Sequence, residues 1–319
     1  MQKLYLSILL YFLCLANVFA NYSSSISFPK AEILNENTTR IPFKLIDHLI
    51  VIEAELLNKK GNFIIDTGSE TLILNKVHFP FKYRHSKKVK QTSGAIDVID
   101  DALEKNIKEF IIQNFNLKNK TSDVIDLSHI ERNKKMKLLG IIGFNILKDY
   151  EIFIDLYLNQ ITLTKIDRFG NKLDKDVYLE KIVDSVDFTL KKHTIILNST
   201  IGNQKVKFGL DSGAEFNQIN KRIHKSVLKN FFPNKRIVLI GASNNKIEVL
   251  AGKLHRVKLS ETVYFGPMNT VLTNLNKMNT AYGTKLDGIL GYDFFKQKRA
   301  IINYKKEKIY FINYPIFRQ

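Results

Sequence analysis

The chain repeats itself, and each copy carries an aspartate loop. Residues 61–76 read GNFIIDTGSETLILNK and residues 205–221 read KVKFGLDSGAEFNQINK. Asp66-Thr67-Gly68 and Asp211-Ser212-Gly213 therefore stand 145 positions apart, and Asn75-Lys76 and Asn220-Lys221 keep the same offset. A second block recurs as Leu139-Gly140-Ile141-Ile142-Gly143 and Asp287-Gly288-Ile289-Leu290-Gly291, its glycines 148 apart. Phe144 and Tyr292, Leu147 and Phe295, and Ile161 and Ile309 follow in register. Two blocks at nearly one offset make the chain two copies of a unit of about 130 residues. A length of 319 residues suits two such units.

The units read as β-structure. Ile50–Leu57, Asn62–Ile65 and Val206–Leu210 are short apolar runs, the last two ending at the aspartates. Glu151–Leu156 with Gln160–Thr164, and Ala300–Tyr304 with Lys308–Ile312, carry hairpin signals. Short helices are expected at Phe144–Lys148 and Tyr292–Gln297, after the glycine blocks. The boundaries follow: a first lobe over 41–168, a polar linker over 169–185 and a second lobe over 186–319, preceded by a polar tail over 21–40. Composition, 45% hydrophobic and 25% charged, is globular and excludes a disordered, collagen-like or coiled-coil chain.

The start of the chain reads as a targeting segment. Lys3 precedes an apolar run from Leu4 to Leu15, and Ala20 ends it before a polar stretch. Residues 1–20 are expected to be a signal peptide cleaved after Ala20, the run being short for a membrane span. The expectation is an exported protein, periplasmic or extracellular, with no membrane span in the mature chain; an uncleaved N-terminal anchor is the alternative. The single Cys, Cys14, lies inside that segment, so no internal disulfide and no cysteine metal cluster is available.

Two aspartates, each ending an apolar strand and followed by Thr or Ser and Gly, offer a specific chemistry. Carboxyl groups held about 3 Å apart cannot both ionise, so they share a proton. The ionised one removes a proton from water as general base, and the protonated one polarises a substrate carbonyl as general acid. Gly68 and Gly213 permit close backbone approach, and the hydroxyls of Thr67 and Ser212 can bond backbone across a two-fold axis.

With these residues in view, the pattern resembles the pepsin and retropepsin clan of aspartic proteases, and is most similar to bacterial exported proteins with two retropepsin-like repeats. The resemblance covers nearly all of residues 41–313. It implies a mainly β fold of two homologous retropepsin-like β-barrel lobes, arranged as a pseudo-two-fold, bilobal protease. It implies catalysis by Asp66 and Asp211, with Thr67, Gly68, Ser69, Ser212 and Gly213 supporting the loops. The substrate would be an extended peptide or protein, with no cofactor and no metal. Both aspartates lie on one chain, so a monomer suffices. No Tyr stands between Tyr83 and Tyr150, where a pepsin-type flap would carry one. Glycine-tipped flaps are expected instead at Gly94-Ala95 and Gly241-Ala242, which follow their aspartates by 28 and 30 residues. Ordinary loop glycines are the plainer reading of both.

One asymmetry bears on the roles of the pair. Ser69 follows the first loop and Ala214 the second, so a hydroxyl is available to Asp66 alone. Asp66 is therefore expected to be the carboxylate and Asp211 the acid.

The remaining features are less specific. The formal charge of +18 is spread along the chain, no nucleic-acid-binding motif is visible, and export removes intracellular nucleic acid as a partner. The seven histidines show no metal-ligand spacing and are expected in loops or at the surface. Asp155 and Asn303 occupy matched late-strand positions and read as structural. A peptide- or protein-binding module of the cell envelope, on the same fold with little or no catalysis, is the rival to an endopeptidase.

Overall fold

The apolar β-branched runs pair into two barrel-like sheets joined by a third. In the computed structural model, residues 26–79, 102–177, 180–241 and 245–313 are described, together with the backbone of 92–93 and 98–99. The signal-peptide segment, Gly94, Ala95 and Ala242 lie outside the described residues.

The first sheet runs, in spatial order, Lys44–Ile46, Leu49–Leu56, Lys59–Ile65, Leu138–Ile142, Leu72–Asn75, Phe115–Ile125 and Leu103–Ile112. Glu55 opposite Ile111 and Leu56 opposite Phe110 close it into a six-stranded barrel. The second sheet repeats this order with Thr189–Lys191, Thr194–Ile201, Gln204–Leu210, Gly288–Leu290, Asn217–Asn220, Met268–Thr273 and Lys246–Leu254, and Phe231–Ile240 lies outermost. There Val257–Lys258 reaches back to Thr194–Ile201, pairing Thr200 with Lys258 and Ile201 with Val257. Closure falls at matched places in the two copies. The fold is mainly β and built twice.

A seven-stranded sheet draws on both halves in the order Glu32–Ile33, Thr38–Pro42, Gln160–Lys165, Tyr150–Asp155, Arg299–Asn303, Lys308–Ile312 and Ile182–Asp187. Its centre is the antiparallel pair of Tyr150–Asp155 with Arg299–Asn303, where Ile152 faces Ile302 and Phe153 faces Ile301. Both expected C-terminal hairpins form, and so do the short helices Phe144–Leu147 and Tyr292–Gln297. Two of its strands lay partly in segments read as tail and linker. Thr38–Pro42 pairs with Gln160–Lys165, and Ile182–Asp187 with Lys308–Ile312. Thr38 and Thr39 are fully buried although polar, because neighbouring strands cover them.

One hydrophobic core runs through both lobes, from Ile52, Phe63 and Phe110 through Ile152 and Ile302 to Phe208 and Phe294. A charged pair is set within the shared sheet. Arg299, 1% exposed, donates through Nε (3.2 Å) and Nη2 (2.6 Å) to Oδ2 of the fully buried Asp155. It also reaches Glu180 Oε1 (2.7 Å) and the Asn313 carbonyl (2.7 Å). At the two-fold-related place, Asn303 Nδ2 donates to Glu151 Oε2 (2.8 Å). Asp155 Oδ1 accepts from the amides of Tyr157 and Leu158, and Asn303 Oδ1 from that of Lys306, so both residues also fix their hairpin turns.

A buried carboxylate stripped of its partner is strongly destabilising. Arg299→Leu should cost about 3–5 kcal/mol of stability in urea unfolding.

Candidate active site

Each aspartate sits where a strand gives out. Lys59–Ile65 ends at Asp66 and Gln204–Leu210 ends at Asp211. The glycine-block strands run parallel to these and antiparallel to Leu72–Asn75 and Asn217–Asn220. Their carbonyls hold the loops: Asp66 N donates to Ile142 O (3.0 Å) and Asp211 N to Leu290 O (2.9 Å). The next residues back the turns, with Phe144 N donating to Ser69 O (2.8 Å) and Tyr292 N to Ala214 O (3.0 Å).

The loops are tied to each other by a crossed set of hydrogen bonds. Ser212 N donates to Thr67 Oγ1 (2.9 Å), and Thr67 N donates to Ser212 Oγ (3.0 Å). Each hydroxyl passes its own proton across: Thr67 Oγ1 to Leu210 O (3.4 Å) and Ser212 Oγ to Ile65 O (2.9 Å). Both side chains are buried. The close approach also explains the glycines. A methyl group on Gly68 would lie 2.5 Å from Asp211 Cγ, and one on Gly213 would lie 2.5 Å from Asp66 Cγ. Each glycine thus makes room for the other lobe's carboxyl group.

The two carboxyl groups interact directly, and their surroundings differ. Asp66 Oδ1 accepts from the amides of Gly68 (2.8 Å) and Ser69 (3.1 Å), and Oδ2 accepts from Ser69 Oγ (2.7 Å). Asp211 Oδ1 accepts from Gly213 N (2.8 Å), and Ala214 has no hydroxyl to offer. Burial pushes the Asp211 carboxyl well above the usual carboxylate range, and the neighbouring charge of Asp66 pushes the same way. The amides of Gly213 and Ala214 oppose that rise. The arrangement therefore favours one ionised and one protonated group, with the proton on Asp211. Near the pair, the Tyr304 hydroxyl is buried with no hydrogen-bond partner. Burial and the charges of both aspartates raise its pKa, which keeps it neutral.

Of the proposed flap positions only Gly241 is among the described residues, and the strands that flank the others in sequence pair. Thr92 pairs with Ile99 and Ser93 with Val98, bracketing Gly94 and Ala95. In the second lobe Phe231–Ile240 pairs with Lys246–Leu254 up to Ile240 opposite Lys246. Gly241 follows, buried, its amide donating to Asn245 O (2.8 Å). Ile237, Leu239 and Ile247 of this hairpin pack against the cluster of Val249, Ala251 and Val271, as does Phe216, five residues after Asp211.

Burial of His129 and His193 departs from the surface positions expected of the histidines, whereas His48 is exposed in a turn as expected. His48 and His193 sit at the lobe junction, and His193 is only 2% exposed. Each lies in the turn of its lobe's first hairpin and reaches the opposite lobe four residues past the aspartate. His48 Nδ1 is 3.2 Å from Glu215 O, and His193 Nδ1 is 3.5 Å from Glu70 Oε2. His48 to His193 and Glu70 to Glu215 both keep the 145-residue offset of the aspartates, the one signal that marked them in advance. His129 is buried as well, in the helix Ser128–Lys134.

Among the described residues, no group of three or more His, Cys, Asp or Glu is placed to hold a metal ion. Nor is any helix there long and apolar enough to cross a membrane. No family model and no curated protein sequence matches the chain. Among solved structures it is similar to a retropepsin-like aspartic protease from Rickettsia conorii, at 18% identity and a TM-score of 0.29, over 44% of this chain and 96% of that one.

Truncating either crossed hydroxyl leaves a buried amide without its acceptor. Thr67→Ala and Ser212→Ala should each cost about 1–3 kcal/mol in denaturant unfolding. Because the two share one network, their effects in the double variant should not add.

Proposed function

We propose that the chain is an exported aspartic endopeptidase that cleaves extended peptides with a water held between Asp66 and Asp211. The observation that carries this reading is the asymmetric carboxyl pair, locked across the lobe junction by Thr67 and Ser212. In this reading residues 1–20 direct export, and the body acts in the periplasm or outside the cell. One chain completes the site.

The step uses carboxyl groups and water alone. Asp66, stabilised as the anion by Ser69 and two amides, takes a proton from water as the water oxygen attacks the scissile carbonyl carbon. Asp211 gives its proton to the carbonyl oxygen, and a neutral tetrahedral diol forms. Asp66 then passes its proton to the amide nitrogen while Asp211 recovers one from a diol hydroxyl. The C–N bond breaks, releasing a carboxylic acid and an amine, and the pair returns to its starting state. The hairpins at 92–99 and 231–254 would close over the substrate, contributing main-chain hydrogen bonds through Gly94, Ala95, Gly241 and Ala242.

The test incubates the purified mature chain with denatured protein from acidic to neutral pH. Asp66→Asn and Asp211→Asn should each lower cleavage by about 10²–10⁴-fold or more while circular dichroism stays native. Peptide binding without cleavage by the unmodified chain would favour the binding module instead. Ser69→Ala removes a hydrogen bond made to the ionised Asp66, so the acidic limb of the kcat profile should move to higher pH. An unmoved limb overturns the assignment of base and acid.

A further inference from the structure

We propose that His193 is a positioning residue of the aspartate pair, a proton-reading latch that grips the Asp66 loop from the opposite lobe. This rests on the reading of the pair as catalytic, and its structural part can be tested without activity.

The geometry begins with two matched turns. Asp47-His48 joins Lys44–Ile46 to Leu49–Leu56, and Lys192-His193 joins Thr189–Lys191 to Thr194–Ile201. Asp47 and Lys192 hold matched left-handed conformations, at φ of 46° and 56°. Each turn crosses the junction to the other lobe's aspartate loop. The two ends have diverged. His48 is exposed and stacks on Tyr292 at 4.2 Å, and the Glu215 carboxylate beside it is taken by Lys134 at 2.7 Å. His48 is therefore held by stacking and by the Glu215 carbonyl rather than by a carboxylate.

His193 is placed differently. It is buried, and neither ring nitrogen makes a hydrogen bond. The edge of Tyr282 meets its ring at 5.0 Å, and Glu70 Oε2 lies 3.5 Å from Nδ1. The charged and titratable groups facing it are Glu70 and Asp66 from the first lobe, Lys192 on its own turn, and Tyr282 from the helix Asn276–Tyr282. Lys191, also on this turn, is engaged with the Gly283 carbonyl.

Glu70 adjoins Ser69, which supplies two of the three bonds to the Asp66 carboxylate. The Glu70 carbonyl is held by Asn145 N at 3.0 Å, so its side chain projects from a fixed backbone. A proton on His193 turns the 3.5 Å approach into a charge-assisted contact and puts a positive charge near Asp66. That charge keeps Asp66 ionised further into acid. The latch therefore engages under the conditions where the general base would otherwise be lost by protonation.

Burial lowers the His193 pKa below its ordinary 6.5, with Glu70 and Asp66 opposing and Lys192 assisting. Acidification consequently protonates the unfolded chain first. Relative to His193→Phe, the native protein should lose stability as pH falls from 6.5 to the folded-state midpoint, and the difference should level off below it.

Two measurements decide the matter. The first follows the His193 imidazole by NMR in the full mature chain. Its midpoint should lie below 6.5 and fall further in Glu70→Gln, where the exposed partner charge is gone and the histidine remains. An ordinary midpoint, or one indifferent to Glu70→Gln, overturns the latch whether or not the chain cleaves peptides. The second compares kcat profiles of the unmodified chain and His193→Gln. The acidic limb should move to higher pH, with several-fold loss on the acid side and kcat retained toward neutral. A uniform loss at all pH values marks a merely structural role and overturns the proposal. Absence of cleavage by the unmodified chain overturns the endopeptidase reading, and the NMR titration then decides the His193 contact alone.

Discussion

The four hydrogen bonds exchanged by Thr67 and Ser212 hold the two halves in one relation at the point where it matters most. Each hydroxyl accepts from the opposite loop's amide and donates to a carbonyl that ends the opposite strand. The two hydroxyls, two amides and two carbonyls all lie in buried bonds, so separating the loops would leave each of them unpaired. Rotation of one lobe against the other is resisted here, before any contact between the carboxyl groups is considered. The placement of the aspartates is a consequence of this lock, and the two glycines clear the space for it.

Below the lock, the shared sheet repeats the theme with different chemistry on its two sides. Asp155 meets Arg299 as an ion pair, while Asn303 meets Glu151 as a hydrogen bond at the related place. Around the dyad, Ser69 gives Asp66 a hydroxyl bond that Ala214 cannot give Asp211. At the outer edge, His193 is buried against Glu70 while His48 stacks in the open on Tyr292. The two halves share their central strand order, and their side chains differ at these three places.

The repeat was legible because strands that end in aspartate and glycine-flanked strands impose residue types that survive duplication. Asp66, Asp211, the short helices and the C-terminal hairpins all follow from it. The strands Thr38–Pro42 and Ile182–Asp187 were not legible. Thr38 and Thr39 are polar and are buried by covering strands far along the chain, which local pattern does not register, and Ile182–Asp187 stays largely exposed and is held by its main-chain pairing with Lys308–Ile312. His193 escaped for a related reason. A single histidine in a turn reads as surface, and its burial depends on a lobe-to-lobe contact 123 residues away in sequence, at Glu70. Its spacing from His48 held the clue, but only a comparison of the two copies residue by residue exposes it.

Because the halves are joined in one chain, a substitution lands once. In an assembly of two identical halves, any residue that favoured ionisation of one aspartate would favour it equally in the other, and the proton would have no preferred home. Covalent linkage lifts that restriction. Ser69 opposite Ala214 is a difference that an identical pair of subunits cannot encode. The tandem arrangement therefore does more than guarantee that the halves meet: it lets the molecule write a fixed polarity into a site whose backbone is symmetric.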